Sequence, residues 1–453
     1  MTVARHKMGD YAPYVYKTTD WGDSWSAITD GLPDGEFCRV VREDPNRPDL
    51  LYVGTELGLH VSFDGGAGWQ PLQANLPVTP VYDLLVKDTD LVVATHGRSF
   101  WILDDLTQLY QAAGGWDPSA ATLLVPRDAV RTPPDLFAGF WGSPGGKNYH
   151  VTIGQNATFY LDEARTGHKT KRIIDAGTDL ERGVRFTYWL PEEPHDGGDG
   201  AEVTLTIVDG DGNEIETFSS DIPEEKSDRK ARLYLTAEPG MNVFQWDMRH
   251  RSGPKVEGSD FHGPSTGPLA LPGRYSATLR VGDGEATAPV EFELLVDPRV
   301  TTSMADFEAQ FELLWAIQAK QDEAVTAVNR IRALRRRLGD WKERIGDDDA
   351  DLGPAIETLV ERLDGIENEL IQPEFTSPGD TLNYREKLIE KLSGLPAVVG
   401  SADTAPTKQS YQVFDKLGGQ IDDQLGVLDE VIEGDLAALN GRLAESGLPI
   451  VGP

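Results

Sequence analysis

Over the first 120 residues, apolar positions alternate with polar ones in short runs bounded by Gly, Asp or Pro, the pattern of half-buried strands joined by tight turns. Residues 14–18 and 24–28 predict two strands, 38–43, 50–54, 59–63 and 69–72 predict a group of four, and 81–86, 91–95 and 100–104 predict three more. From 121 to 300 the runs lengthen and are richer in Val, Thr and aromatics, at 184–190, 201–208, 215–219, 243–248, 275–281 and 290–296. Val203, Leu205 and Ile207 share one face there, which suits a β-sandwich. From Ser303 the period turns helical. Ser303 with Asp306 resembles a capping box, and Phe307, Phe311, Leu314, Val325, Val328 and Leu338 recur at three- and four-residue steps. Pro354 opens a second stripe through Ile356, Leu359, Leu363, Ile366 and Leu370, and a third runs from Phe414 to Leu443. The reading is a multidomain chain: strand repeats over 1–120, a sandwich over 121–300, and a helical bundle over 301–453.

Inside the first region one signature occurs twice. Thr18, Asp20, Gly22 and Trp25 fit S/T-x-D-x-G-x-x-W, and so do Ser62, Asp64, Gly66 and Trp69, a period of 44 residues from one tryptophan to the next. In such a turn the Asp accepts backbone N–H bonds, the Gly supplies a positive φ, and the Trp is expected to bury a large apolar surface. The signature is similar to the Asp-box of sialidase-like and sortilin-like β-propellers, and its spacing falls in the range of a propeller blade. These are structural duties, so Asp20 and Asp64 are read as structural and not catalytic. A third copy starts at Val81, with Thr55 and Thr95 matched 40 residues apart, but its box has decayed to Asp104-Asp105. That makes roughly two and a half blades where closed propellers have about four to eight, and predicts an unpaired strand edge near residues 14–18.

Further stretches extend the resemblance: Leu51-Tyr52-Val53-Gly54-Thr55-Glu56, Trp69-Gln70-Pro71-Leu72, and the run from Ala94 through His96-Gly97-Arg98 to Asp105. Gly240-Met241-Asn242-Val243-Phe244-Gln245-Trp246-Asp247-Met248-Arg249 and the later Ser401-Ala402-Asp403-Thr404-Ala405-Pro406-Thr407 belong to it as well. Together they resemble the C-terminal part of large microbial BNR-repeat proteins, sortilin N-terminal-domain-like and often labelled glycosyl hydrolases. The resemblance implies a partial β-propeller, an Ig or fibronectin type III-like sandwich and a helical tail. It also implies a peptide or glycan ligand, and upstream blades on the same or a separate polypeptide as a partner. The hydrolase label rests on Asp-boxes, which do no chemistry.

Composition narrows the partners. The formal charge of −33, from 75 acidic and 42 basic residues, argues against nucleic acid or anionic membrane as a partner. Asp outnumbers Glu and Arg outnumbers Lys, a balance similar to that of proteins from salt-loving microbes, though a merely acidic protein gives the same sign. No apolar run approaches a membrane span and no signal-peptide core is present, while members of the resembled family are often exported, so the compartment stays unassigned. Cys38 is the only cysteine, so no intrachain disulfide forms; its setting reads as a buried strand, with no base nearby in sequence to activate it.

Chemistry-bearing motifs are few. Asp209-Gly210-Asp211-Gly212-Asn213 resembles a calcium loop, but Glu214 stands where an EF-hand needs Gly and strands flank it, so it reads as a hairpin turn. Gly145-Gly146-Lys147 lacks the frame of a phosphate loop, and no metal-ligand spacing appears, so no cofactor or metal is assigned. Arg335-Arg336-Arg337 reads as a solvated helix end facing Asp347-Asp348-Asp349. If the boxes lie on one face of the propeller, the opposite face holds Arg39, Tyr82 and Asp83 with Glu56, His96 and Arg98 on its turns. Arginine can clamp a carboxylate, and Tyr or Asp could support glycosyl transfer. The plainer reading makes His96-Gly97-Arg98 a turn that braces neighbouring blades, and it is favoured because hydrolysis needs two carboxylates at a defined separation. Two functions follow: a non-catalytic binding or scaffold part that recognises peptide or glycan, or part of a sialidase- or xyloglucanase-like glycoside hydrolase. A sialidase needs three converging arginines and a Tyr nucleophile, for which only Arg39, Arg98 and Tyr82 are available here.

Overall fold

A computed structural model describes every residue except 116, 133–145, 153–154, 175–176, 178–179, 192–200, 225–232, 260, 346–351, 446–447 and 453. The chain is β-rich first and helical last, and it divides into two compact units, residues 1–127 with 186–192 and residues 128–185 with 193–453.

The first unit is built from three successive antiparallel sheets. Strands β1 (Tyr16–Lys17) and β2 (Ser26–Ala27) form a two-stranded sheet. Strands β3 (Cys38–Glu43), β4 (Leu51–Thr55), β5 (Leu59–Ser62) and β6 (Gln70–Pro71) form a four-stranded meander in sequence order. Strands β7 (Val81–Lys87), β8 (Asp90–Thr95) and β9 (Phe100–Leu103) form a three-stranded one. Every residue of β4 and β5 is buried, because the middle sheet is covered on both faces. One face packs Cys38, Val41, Leu51 and Val53 with Val15 and Ile28 of the first sheet region. The other packs Val40, Tyr52, Leu59 and Val61 against Leu84, Leu91 and Val93 of the third. Alternation along each strand sends neighbouring residues to opposite faces, so one short strand serves two interfaces.

Both boxes fold as the sequence predicts. Thr18 Oγ1 donates to Asp20 Oδ1 at 2.8 Å and accepts from Gly22 N at 2.9 Å, while Asp20 Oδ1 accepts from Ser24 N at 2.9 Å. Ser62, Asp64, Gly66 and Gly68 repeat these bonds at 2.7, 2.9 and 2.9 Å. Gly22 and Gly66 take φ of 100° and 93°. Trp69 is 5% exposed, but the expected burial of Trp25 is not met: it is 46% exposed. The reason is its neighbourhood, since Trp69 lies against the first box's chain, donating from Nε1 to Ile28 O at 2.8 Å, whereas the Trp25 indole donates within its own turn, to Gly22 O. The edge predicted to be open near residues 14–18 is also corrected. Met1–Val3 runs along it, with Tyr16 N donating to Met1 O at 2.8 Å and Val3 N to Tyr14 O at 3.1 Å.

In the second unit Val203–Asp209 pairs with Glu214–Ser219 on one side and Gly273–Val281 on the other; Gly273–Val281 pairs with Val290–Val296, which in turn pairs in parallel with Ala129–Arg131. Trp246 is fully buried edge-on to Tyr275 and Phe292, and its Nε1 donates to Arg249 O at 3.0 Å. A second antiparallel sheet, Lys147–Thr152, Gln155–Glu163 and Lys169–Ile173, was not predicted, because its last strand alternates too few apolar residues to show a pattern. Helices Met304–Ile345, Leu352–Leu370 and Lys408–Glu430, with shorter ones after Lys387 and Leu436, pack most of their predicted stripes into one core; Phe307 and Phe311 lie outside it, and Phe307 is buried against Arg131. Asp403 is buried in an ion pair with Arg131. Arg335 does not serve as a solvated end: its guanidinium bridges Asp364 and Glu367 of the neighbouring helix. Gly145 and Asp347-Asp348-Asp349 lie outside the described residues. Asp209 satisfies its own turn, accepting from Asp211 N, Asn213 N and Asn213 Nδ2, which makes the calcium-like segment a hairpin turn. No described helix is long and apolar enough to cross a membrane.

Candidate functional site

Strands of a meander alternate direction, so the second box, at the β5–β6 turn, stands at one end of the middle sheet and the β4–β5 turn stands at the other. Two matched irregularities shape that other end. In the middle sheet, pairing runs Cys38 with Thr55 and then Val40 with Gly54, leaving Arg39 as the extra residue of a bulge. In the third sheet Val81 pairs with Thr95 and Asp83 with Ala94, leaving Tyr82 in the same position. A bulge re-aims the residue it extrudes, and here two equivalent bulges aim Arg39 and Tyr82 at one place. The guanidinium carbon of Arg39 lies 4.0 Å from the Tyr82 ring centroid.

The turns that follow are matched as well. Thr55 Oγ1 accepts from Gly58 N at 3.0 Å, and Thr95 Oγ1 accepts from Arg98 N at 3.2 Å. The residue after each threonine is tied back to the chain ahead of the bulge: Glu56 N donates to Phe37 O at 3.2 Å, and His96 N to Pro80 O at 2.9 Å. Each sheet thus contributes one pair. Arg39 is held by Glu56, with Nε 2.6 Å from Oε2 and a second contact through Nη2, and Tyr82 stacks on His96 with centroids 5.0 Å apart.

The result is a row of planar groups. His6 stacks on Phe37 at 4.4 Å, the Arg39 guanidinium sits 4.9 Å from the Phe37 ring on one side and against Tyr82 on the other, and His96 closes the row. Phe37 is buried, Tyr82 is half-exposed, and His96 and Arg98 are exposed, so the row opens to solvent at its His96 end. Stacking a desolvated guanidinium between two rings, with a carboxylate on its fork, fixes its orientation.

Of the six candidates from the sequence, Arg39, Glu56, Tyr82 and His96 come together. Asp83 does not join them: its Oδ1 receives Arg42 Nη2 at 2.6 Å and Leu84 N at 2.9 Å. Arg98 shares the His96 turn and fixes it through its backbone, its carbonyl accepting from Trp101 Nε1 at 2.8 Å. Phe37 and His6 were missed. Phe37 stands two residues before the bulge, as Pro80 does before Tyr82, a repeat offset that sequence could have exposed; His6 depends on how the first residues fold back, for which no local signal exists.

Cys38, beside the row, is buried, and burial pushes its thiol up to about 11, which keeps it protonated and inert. No group of three or more His, Cys, Asp or Glu that could hold a metal occurs among the described residues. Both candidate carboxylates, Glu56 and Asp83, are occupied by arginines. What remains accessible is a ring face and a cation, which can stack on a flat or apolar ligand surface and donate to an acceptor. Comparison with known families finds none that matches this chain, and comparison with curated proteins finds no match either.

Proposed function

We propose that the first unit is a non-catalytic binding module, part of a sortilin-like BNR-repeat propeller protein, and that it recognises a peptide or glycan bearing an acidic group at the Tyr82–His96 end of the row. On this reading the three sheets are blades of a partial β-propeller, and the strands of the second unit are an Ig or fibronectin type III-like sandwich that carries a helical bundle. The observation that carries the proposal is the pair of equivalent bulges that stack Arg39 on Tyr82 at 4.0 Å while Glu56 holds Arg39. Such a platform is organised before any ligand arrives, which lowers the ordering cost of binding. The arginine partners of Glu56 and Asp83 favour binding over glycoside hydrolysis, because general acid and nucleophile roles need carboxylates that can reach the glycosidic bond.

The test is a glycan and peptide array probed with the chain and with Arg98→Ala, His96→Ala and Tyr82→Phe. His96 and Arg98 are exposed, so these changes should leave the melting temperature within the small range typical of surface substitutions, while binding of acidic ligands weakens about tenfold or more. If Arg98→Ala unfolds the protein as badly as Trp69→Ala, the His96-Gly97-Arg98 turn is a brace and the binding reading fails.

A further inference from the structure

The three-stranded sheet of Lys147–Thr152, Gln155–Glu163 and Lys169–Ile173 runs against the charge of the rest of the chain. Residues 147–174 hold five lysines and arginines against two carboxylates, where the whole chain carries a formal charge of −33. Register divides this sheet into two faces. On one, Phe159 is buried and Leu161 and Ile173 are half-buried, so that face turns inward. On the other, Lys147, Tyr160 and Arg172 stand opposite one another across the three strands, and Tyr149 follows Lys147 along its edge strand. Lys147, Tyr149 and Arg172 are exposed and Tyr160 is half-buried. Lys147 Nζ lies 5.4 Å from the Tyr149 ring centroid, and the Arg172 guanidinium carbon lies 4.7 Å from that of Tyr160.

Edge strands carry charge to deter pairing with another chain, and that accounts for Lys169 and Lys171 on the inward side. It does not account for two tyrosines on the solvent face, each with a cation beside its ring. We propose that this face binds an acidic glycan whose carboxylates sit on every second sugar. The tyrosine rings take the apolar faces of the sugars, and Lys147 and Arg172 take the carboxylates. Lys147 and Arg172 stand on the two outer strands, two strand spacings or about 9–10 Å apart along the row, with Tyr160 between them. That separation is close to the length of a disaccharide, so a neutral sugar lies over Tyr160 between two charged ones. Tyr149 is the diagonal neighbour of Tyr160, about 7–8 Å away in an antiparallel pair, and offers a second platform to the same chain. The one carboxylate on this face that meets a cation is weakly engaged: Asp162 Oδ2 is 3.8 Å from Arg172 Nε, too long for a hydrogen bond, and both side chains are exposed, so a ligand carboxylate displaces it at little cost. Single-stranded nucleic acid also offers flat faces and anions, but it bears a charge at every nucleotide, which a chain of net charge −33 repels more strongly than a glycan charged at alternate sugars.

This site lies in the second unit and does not rest on the ligand reading of the Tyr82–His96 row. Its test titrates the full chain with hyaluronan oligosaccharides, which carry a carboxylate on alternate sugars, and follows hydrogen exchange of residues 147–152, 158–163 and 169–173. Exchange there should slow about tenfold or more at saturation, and because the readout is local, binding at the row of the first unit neither produces nor hides it. Tyr149→Ala with Arg172→Gln should weaken the apparent affinity about tenfold or more while leaving the melting temperature in place, since both residues are exposed. Should that pair of changes loosen the sheet before ligand is added, Lys147→Gln alone, on the opposite edge strand, should weaken binding about threefold. The proposal is overturned if hyaluronan leaves exchange of the sheet unchanged, if carboxyl-reduced hyaluronan protects it equally, or if protection keeps its concentration dependence in all these variants. It is also overturned if oligothymidylate protects the sheet at lower concentration than hyaluronan, which would make this a nucleic-acid surface.

Discussion

The two S/T-x-D-x-G-x-x-W turns fold alike and end differently. Their closing hydrogen bonds, one between side chains and two from side chain to backbone, agree within a tenth of an ångström, from Thr18 and Asp20 in one to Ser62 and Asp64 in the other. Yet Trp69 is enclosed and Trp25 is not. The turn is a local object, closed by bonds between residues at most four apart, so its sequence suffices to build it. The tryptophan lies outside that closed set. Its burial needs a chain 41 residues away, Ile28 in the case of Trp69, and Trp25 meets no such chain among the described residues.

The largest effect should come from breaking this asymmetry. Trp69→Ala removes a buried indole and its bond to Ile28 O, and should cost about 3–5 kcal/mol, whereas Trp25→Ala should stay within about 1 kcal/mol. Denaturant unfolding followed on the first unit's signal decides it; equal losses would mean that the boxes are equivalent after all. Salt should raise stability without touching the comparison. Screening contracts from about 10 Å at 0.1 M to about 3 Å at 1 M, so molar KCl should relieve the self-repulsion of a chain with net charge −33 and raise the melting temperature of wild type and both tryptophan variants alike. A flat or falling curve removes the halophilic reading.

Acid should act on both boxes in the same direction. The Ser24 hydroxyl and amide and the Thr18 hydroxyl hold Asp20 down to about 2, and the Gly68 amide and Ser62 hydroxyl lower Asp64. A carboxyl depressed in the folded state contributes stability above its ordinary value of 3.8 and loses it as pH falls through its folded value, so the window for Asp20 runs from about 4 down to about 2. Carbon-13 titration of the two side chains checks this, and ordinary midpoints for both would show that the boxes are not closed in solution. The smallest effect concerns backbone strain. Trp21 takes φ of 60° where the second box has Gly65 at 70°. Trp21→Asn, a residue that tolerates this region, should stabilise by a few tenths to about 1 kcal/mol, and an unfolding midpoint that drops instead would show that the exposed indole contributes more than its strain costs.

Strands in the first unit were legible to within a residue or two, because alternation and Gly/Asp turn chemistry agree there. Val184–Leu190 and Val290–Val296 were legible for the same reason, and the helical stripes because most of their positions, Ile356 and Leu443 among them, recur at helical spacing and are buried. The candidate site was half legible. Arg39, Glu56, Tyr82 and His96 could be named from their places near turns, but their convergence depends on two bulges, and a bulge changes pairing without changing the apolar pattern that sequence displays. Asp83 illustrates the limit: adjacent to Tyr82 in the chain, it engages Arg42 of the neighbouring sheet instead.

By itself the sequence determined what short-range forces decide: the closed bonds of each box, the positive φ at Gly22 and Gly66, the faces of the strands and the apolar stripes of the helices. Tertiary structure alone decided which apolar residues are covered and which polar ones meet. Trp25 and Trp69 hold the same place in their boxes, and Leu59 and Phe100, like Val61 and Ile102, are paired alike by register, yet the members of each pair differ in what lies against them. Burial is a property of two surfaces, and a sequence pattern describes one of them at a time.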